Sequence, residues 1–127
     1  MSLALTYEQK APGVFTMHLA GSLDTDTYQD YEAEVDRLYA EFPVIKVIIL
    51  DLEGLSYISS AGVRVVLATK KRLKSMGGEL GILNMQPQIE KVFAIIKALP
   101  SLQVYGSIEE LDAYLKVIQQ KVVAGEM

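Results

Sequence analysis

The chain contains no cysteine, and this absence excludes several kinds of site. Without thiols there is no disulfide, no thiolate zinc site and no cysteine nucleophile, and such a composition suits a reducing compartment. Long apolar runs are also missing: runs such as Val47–Leu50 are far shorter than the roughly 20 residues that a membrane helix needs. The N-terminus lacks the basic start and apolar core of a signal peptide. We therefore expect a cytoplasmic protein without membrane insertion.

Histidine is scarce, and excess positive charge is absent. The single histidine, His18, excludes a multi-histidine metal site and leaves a Ser-His-Asp triad dependent on one residue. The glycines of segment 77–81 follow a helical pattern instead of opening one, so they match neither a dinucleotide-binding turn nor a phosphate loop. The formal net charge of −4 disfavours direct binding of nucleic acid. The sequence predicts no catalytic residue, no cofactor and no bound metal.

What is present fits one compact domain. The chain has 127 residues, half of them hydrophobic and 22% charged, which is enough for a core of its own. We expect a single domain over residues 1–127, with its core at about 3–118. The tail at 119–127 is predicted to fray.

Hydrophobic periodicity predicts the element order β-β-α-β-α-β-α-β-α. Strands are predicted at 3–9, 14–21, 44–52, 79–83 and 102–105, and helices at 25–42, at 60–76, from Pro87, and after a capping box formed by Ser107 and Glu110. This alternation predicts an α/β fold with an N-terminal hairpin. The sheet is expected to be mixed but mostly parallel, with four to five strands and about four helices.

The junction between the central strand and the next helix is the first candidate site. Residues 53–60, EGLSYISS, are predicted to form a loop that places Ser60 at the carboxyl end of that strand, where open α/β sheets present functional residues. One interpretation makes Ser60 the helix N-cap. The other makes it a phosphoacceptor, since a helix N-terminus tolerates a phosphate that adds roughly −1.5 to −2 charges.

The helix that follows this junction has two different faces. A helical projection places Ser60, Arg64, Ala68, Lys71 and Ser75 on one face, opposite Val66, Leu73 and Met76. The first face is small and polar, which suits docking of a partner. The basic residues of this helix indicate either a solvated face or contact with an acidic protein. Binding of nucleic acid is disfavoured, because no aromatic residues for base stacking accompany them.

Acidic residues near strand ends allow two interpretations. Asp24, Asp26 and Asp51 are potential ligands of magnesium, as strand-end carboxylates are in some α/β folds. The structural interpretation is that Asp24 or Asp26 caps the first helix and that Asp51 holds the loop after its strand.

Three segments resemble the STAS domains of bacterial anti-sigma factor antagonists: GSLDTDT (21–27), VIILDLEGLSYISSAGVRVVL (47–67) and ELGILNMQPQIEKVFAIIKAL (79–99). The resemblance spans nearly the whole chain. It implies that Ser60 is phosphorylated by a partner that is both anti-sigma factor and serine kinase, and dephosphorylated by a serine phosphatase. The unphosphorylated chain would bind the anti-sigma factor and free sigma, and the phosphorylated chain would release it.

The resemblance also implies a partner-binding surface. Its residues are Asp24, Asp51, Ser59, Ser60, Ala61, Gly62, Arg64, Ala68 and Lys71. Many members have an acid before the phosphoacceptor and a hydroxyl after it, whereas this chain has Ser59 and Ala61, so Ser59 is a competing acceptor. The sequence leaves the oligomeric state open.

The sequence leaves two other functions open. One is a STAS scaffold or accessory module of a stress-signalling complex or transporter, without a phosphorylation switch. The other is a small α/β enzyme or nucleotide-binding domain that uses Asp24 and Asp51 around a metal.

Overall fold

A computed structural model describes residues 2–95, 103–105, 109 and 113. These residues form a five-stranded sheet with three helices. The strands are β1 (Leu3–Ala11), β2 (Val14–Leu23), β3 (Val47–Ile58), β4 (Glu79–Leu83) and β5 (Gln103–Tyr105), and the helices are α1 (Tyr28–Glu41), α2 (Ser60–Ser75) and α3 (Pro87–Ile95).

The sheet has the strand order β1-β2-β3-β4-β5. Strands β1 and β2 form an antiparallel hairpin, and every later pair is parallel. Successive crossovers move in the same direction across the sheet, so right-handed connections bring all three described helices to one face. Each of these helices contributes to the same core cluster. The prediction of a mixed, mostly parallel α/β sheet with an N-terminal hairpin is confirmed.

Strand β3 is the centre of the core. Ile48 and Leu50 belong to the cluster under the helices, whereas Val47 and Ile49 belong to a second cluster on the other face of the sheet. All four side chains are fully buried. A nearly continuous apolar run is the sequence signal of a strand covered on both faces, and that prediction is confirmed.

Helix α1 packs as its periodicity predicts. Tyr31, Val35 and Leu38 are buried, and Tyr28, Tyr39 and Phe42 are partly buried against the same core. The helix begins at Tyr28 rather than at Thr25, because residues 24–27 form a hydrogen-bonded turn.

Strand β3 is longer than predicted, and the loop prediction for residues 53–58 is wrong. The strand continues to Ile58 by pairing with β2, from Ala20 opposite Gly54 to Leu23 opposite Ile58. The register shifts between His18 and Ala20, which marks a β-bulge in β3. Beyond the bulge, Leu55 and Ile58 are buried in the core.

Two further predictions concern element ends. Met76 does not face the core: helix α2 ends at Ser75, and the Met76 side chain is 55% exposed as the C-cap residue. Glu109 and Ala113 are helical, but Ser107 and Glu110, on which the predicted capping box depends, lie outside the described residues, as does the tail at 119–127.

Candidate functional site

The carboxyl ends of β2 and β3 meet where α2 begins. Leu23 pairs with Ile58, and the backbone N–H of Ser59 donates to the Leu23 carbonyl oxygen at 3.0 Å. Parallel strands end at the same edge of a sheet, so the turn after β2 and the first residues of α2 are neighbours. The structure thereby brings Asp24 close to the serine pair.

Gly62 sets how closely α2 approaches this edge. A Cβ atom at this position would overlap the Leu23 carbonyl oxygen and would lie 2.7 Å from Cγ1 of Ile58. Only a residue without a side chain fits between the helix and the end of β2. Glycine is therefore required here by close packing of the backbone.

Asp24 organises the turn between β2 and α1. The residue is 6% exposed, and its Oδ1 accepts from the backbone N–H of Asp26 at 2.9 Å and of Thr27 at 3.2 Å. Thr27, rather than Asp24 or Asp26, occupies the N-cap position of α1, so the capping prediction is wrong. The Asp24 carboxylate is instead turned toward the backbone of its own loop.

The two serines at the start of α2 have different roles. Ser59 is the N-cap: its backbone is extended, and its Oγ accepts from the backbone N–H of Gly62 at 3.3 Å. Ser60 is the first residue of the helix, and its side chain is exposed. The interpretation of Ser60 as the N-cap is therefore wrong, and the exposed hydroxyl of Ser60 is separate from the capping bond.

This division predicts unequal effects on stability. Ser59→Ala removes the cap and is expected to lower the free energy of unfolding by about 1 kcal/mol. Ser60→Ala changes an exposed side chain and is expected to stay within about 0.5 kcal/mol of the unmodified chain. Urea denaturation of both variants measures the difference. Equal losses, or a larger loss for Ser60→Ala, would contradict the assignment of the cap.

The predicted face of α2 is exposed along its length. Ser60, Arg64, Ala68, Lys71 and Ser75 are all exposed. Val66 and Leu73 on the opposite face are fully buried, Ala61 is half-buried and Gly62 is buried. The helix thus presents a polar surface that starts at Ser60 and runs away from the sheet edge.

Asp51 does not lie at this surface. Seven residues of β3 separate it from Ser59, a distance on the order of 20 Å along a strand. Its Oδ1 accepts from the backbone N–H of Glu53 at 3.0 Å, across the bulge, and Oδ2 lies 2.9 Å from Nδ1 of His18. Asp24 and Asp51 are therefore not neighbours. Within the described part of the chain, no group of three or more acidic or histidine side chains is arranged to hold a metal.

A polar cluster around His18 was not predicted from the sequence. The His18 ring lies between Asp51 and Glu8, with Nε2 3.1 Å from Oε1 of Glu8, and Lys10 contacts the same Glu8 oxygen. Partial burial opposes the charged imidazolium, but the hydrogen bonds to the two carboxylates outweigh it and raise the pKa of His18. The alternation of side chains along the hairpin strands could have predicted that Glu8 and His18 lie on one face. It could not have predicted the contact with Asp51, which lies on β3.

The raised pKa of His18 predicts a pH dependence of stability. Because the folded-state pKa lies above the unfolded value of about 6.5, the cluster contributes its full stabilisation below that pH and loses it as the pH rises through the folded-state value. The side chain is 42% exposed, so we expect less than about 1 kcal/mol. Proton NMR can follow this single histidine directly. Asp51→Asn should lower the pKa of His18, and Glu53→Gln should not; equal effects would contradict the ion-pair interpretation.

No helix in residues 2–95, or in the short described segments beyond them, is long and apolar enough to cross a membrane.

Comparison with known families agrees with this architecture. The STAS domain model matches residues 8–111, so the chain belongs to the STAS domain family. It is 34% identical over 107 residues to BtrV of Bordetella bronchiseptica, whose name describes a candidate anti-sigma factor antagonist; the match spans 84% of this chain and 90% of BtrV. The resemblance to anti-sigma factor antagonists is confirmed at the level of the family.

Solved structures show the same fold. The anti-sigma factor antagonist SpoIIAA in its unphosphorylated form matches with a TM-score of 0.75 at 25% identity, over 89% of this chain and 97% of that one. The phosphorylated form of Bacillus SpoIIAA matches with a TM-score of 0.67 at 25% identity, over 87% and 99%. A murine solute carrier 26 anion transporter matches with a TM-score of 0.73 at 15% identity, over 86% of this chain and 18% of the transporter, which shows a shared fold alone.

Proposed function

We propose that this chain is a cytoplasmic anti-sigma factor antagonist whose partner binding is controlled by phosphorylation of Ser60. In this cycle the unphosphorylated chain binds an anti-sigma factor that is also its serine kinase, and sigma is freed. Phosphorylation of Ser60 releases the anti-sigma factor, and a serine phosphatase restores the binding form. The chain itself acts as a binding module without catalytic residues.

The observation that carries this proposal is the separation of Ser59 from Ser60. Ser59 makes the capping bond, and Ser60 presents an exposed side chain at the same helix end. A phosphate on Ser60 therefore leaves the cap in place. The positive end of the helix dipole also tolerates the added negative charge. Ser59 is the weaker candidate acceptor, because its modification would remove the bond to Gly62.

The proposed docking surface extends from the serine pair along α2. It comprises Ser59, Ser60, Ala61, Gly62, Arg64, Ala68 and Lys71, with Asp24 holding the adjacent turn. The family resemblance implies Asp51 as a further contact of the partner, but its place in the His18 cluster separates it from this surface. We therefore propose the surface without Asp51. The similarity to SpoIIAA, whose unphosphorylated and phosphorylated forms share this fold, supports a switch that needs no refolding.

The proposal is tested by capture followed by phosphorylation. A tagged chain is used to isolate its anti-sigma factor from the native host, and the purified partner is then incubated with the chain and ATP. We expect fragment-ion mass spectrometry to find one phosphate on Ser60, none in Ser60→Ala, and unchanged modification of Ser60 in Ser59→Ala. A phosphate on Ser59 instead, or no transfer by a partner that binds the chain, would overturn the switch.

The metal-dependent enzyme or nucleotide-binding alternative receives no support from the geometry. Asp24 is engaged with its own turn and Asp51 with His18, so the two carboxylates do not form a common site. No observation favours the scaffold or transporter alternative over the switch, since the likeness to the anion transporter concerns the fold alone.

A further inference from the structure

A groove runs between α1 and α2 on the outer side of the helical layer. Its first part, about 320 Å³, begins at Ala61 next to Ser60, and its second part, about 220 Å³, lies further along both helices. Both parts are lined by Glu32, Val65 and Ala68, so they form one continuous groove. The groove therefore opens directly from the proposed docking surface.

The floor of the groove is apolar and fixed. Val65 is 7% exposed and lies between the two helices, and Ala68 leaves space above it. Below the second part, the hydroxyls of Tyr31 and Thr69 lie 2.7 Å apart in a fully buried hydrogen bond that joins α1 to α2. This bond and the buried Val65 join α1 to α2 beneath the groove.

At the far end of the groove, the acidic and basic side chains of the two walls are paired with each other. Nη1 of Arg72 on α2 lies 2.5 Å from Oδ1 of Asp36 on α1. The Arg72 guanidinium also lies over the Tyr39 ring, 4.0 Å from its centroid. An occupant at this end would have to displace an ion pair and a cation–π contact. The second part of the groove is therefore less suited than the first to bind a partner.

The near end also has an acidic residue on α1 and a basic residue on α2. Glu32 on α1 and Arg64 on α2 line opposite walls of the first part, and both are exposed. Among the described residues, neither side chain belongs to an ion pair. The near end thus presents an acidic wall, an apolar floor and a basic wall.

We propose that this near end receives a helix of the anti-sigma factor. The helix inserts one apolar side chain over Val65 and Ala68, places a basic side chain against Glu32 and places an acidic side chain against Arg64. Residues three or four apart on a helix supply such a triplet on one face. This inference rests on the proposed function, because its occupant is the same partner.

The position of Arg64 links the groove to the switch. Ser60 and Arg64 are one helical turn apart on the same exposed face. A phosphate on Ser60 forms a charge-assisted contact with the guanidinium and competes with the acidic side chain of the partner. Phosphorylation then weakens binding in two ways: it withdraws Arg64 from the groove, and the phosphate repels the acidic side chain of the partner.

Filling the groove tests the proposal. Ala68→Leu places a larger side chain over the floor, and Ala33→Leu makes the same exchange at an exposed position of α1 that does not line the groove. With the purified anti-sigma factor as probe, we expect Ala68→Leu to weaken binding at least tenfold and Ala33→Leu to change it less than twofold. Thermal denaturation of both variants verifies folding. Equal affinities of the two variants would contradict the proposal that the anti-sigma factor binds in the groove.

The absence of cysteine allows a second measurement that a folding defect does not affect. In Ala68→Cys and Ala33→Cys, the anti-sigma factor is expected to slow iodoacetamide alkylation at least tenfold at position 68 and not at position 33. If the unmodified chain binds the anti-sigma factor but the thiol of Ala68→Cys is not protected by it, the groove and the inclusion of Ala68 in the docking surface are wrong, whereas the switch at Ser60 stands. If the unmodified chain binds no anti-sigma factor, both are wrong.

Discussion

Replacing Ser60 by glutamate is expected to weaken binding of the anti-sigma factor roughly 5–150-fold, which corresponds to a coupling of about 1–3 kcal/mol. The carboxylate places negative charge at the exposed first position of α2, in the centre of the proposed docking surface. Ser60→Ala removes only an exposed hydroxyl and is expected to bind as tightly as the unmodified chain. Because this variant cannot be phosphorylated at position 60, it should not release the anti-sigma factor. Isothermal titration calorimetry at fixed ionic strength measures all three affinities.

Ser75→Glu is the matched control for this substitution. Ser75 lies on the same exposed face of α2, but fifteen residues from Ser60, or about 22 Å along a helix. That distance exceeds the Debye length of about 8 Å at physiological ionic strength, so a charge at position 75 should leave the affinity within about twofold. A loss as large as that of Ser60→Glu would indicate a general charge effect. Unchanged affinity of both Ser60 variants would exclude the switch.

Features that depend on repeated local patterns were predictable from the sequence. The apolar run of β3 predicts a strand buried on both faces, and the helical period of α2 separates exposed Ser60, Arg64 and Ala68 from buried Val66. Each of these assignments rests on several residues that agree. Met76 was wrongly placed on the buried face because α2 ends at Ser75, one residue before the predicted end. Periodicity does not determine the last residue of a helix.

Features that depend on partners distant in the sequence were not predictable in the same way. Ser59 and Ser60 are equally suited to an N-cap, and the choice follows from pairing of Leu23 with Ile58, which fixes where extended backbone ends. The same pairing converts the predicted loop before Ser59 into strand. Likewise, Asp51 meets His18 only because β2 and β3 are aligned in this register. These contacts depend on how two strands distant in the sequence align, and the residues around Ser59 or Asp51 alone do not determine that alignment.

The second large effect is expected from Gly62→Ala, which should lower the free energy of unfolding by about 3 kcal/mol, the upper part of the range for overpacking. The added methyl group would overlap the Leu23 carbonyl, a backbone atom that no change of rotamer can move, and would lie 2.7 Å from Ile58. The higher helix propensity of alanine relative to glycine offsets only about 1 kcal/mol of this loss. Thermal and urea denaturation measure the loss, which should exceed about 5 °C in Tm.

Gly77→Ala separates this packing effect from backbone strain. Gly77 has a φ of 79°, but apart from its chain neighbours no residue comes within 4 Å of the place that a Cβ atom would take. Its substitution should therefore cost only about 1 kcal/mol for the left-handed conformation. If Gly62→Ala is no more destabilising than Gly77→Ala, close packing of α2 on β2 is not a determinant of the fold. The Leu23 carbonyl also accepts from Ser59, so displacing it disturbs the cap and the presentation of Ser60. Gly62→Ala, but not Gly77→Ala, should therefore weaken binding of the anti-sigma factor even at temperatures where both variants remain folded.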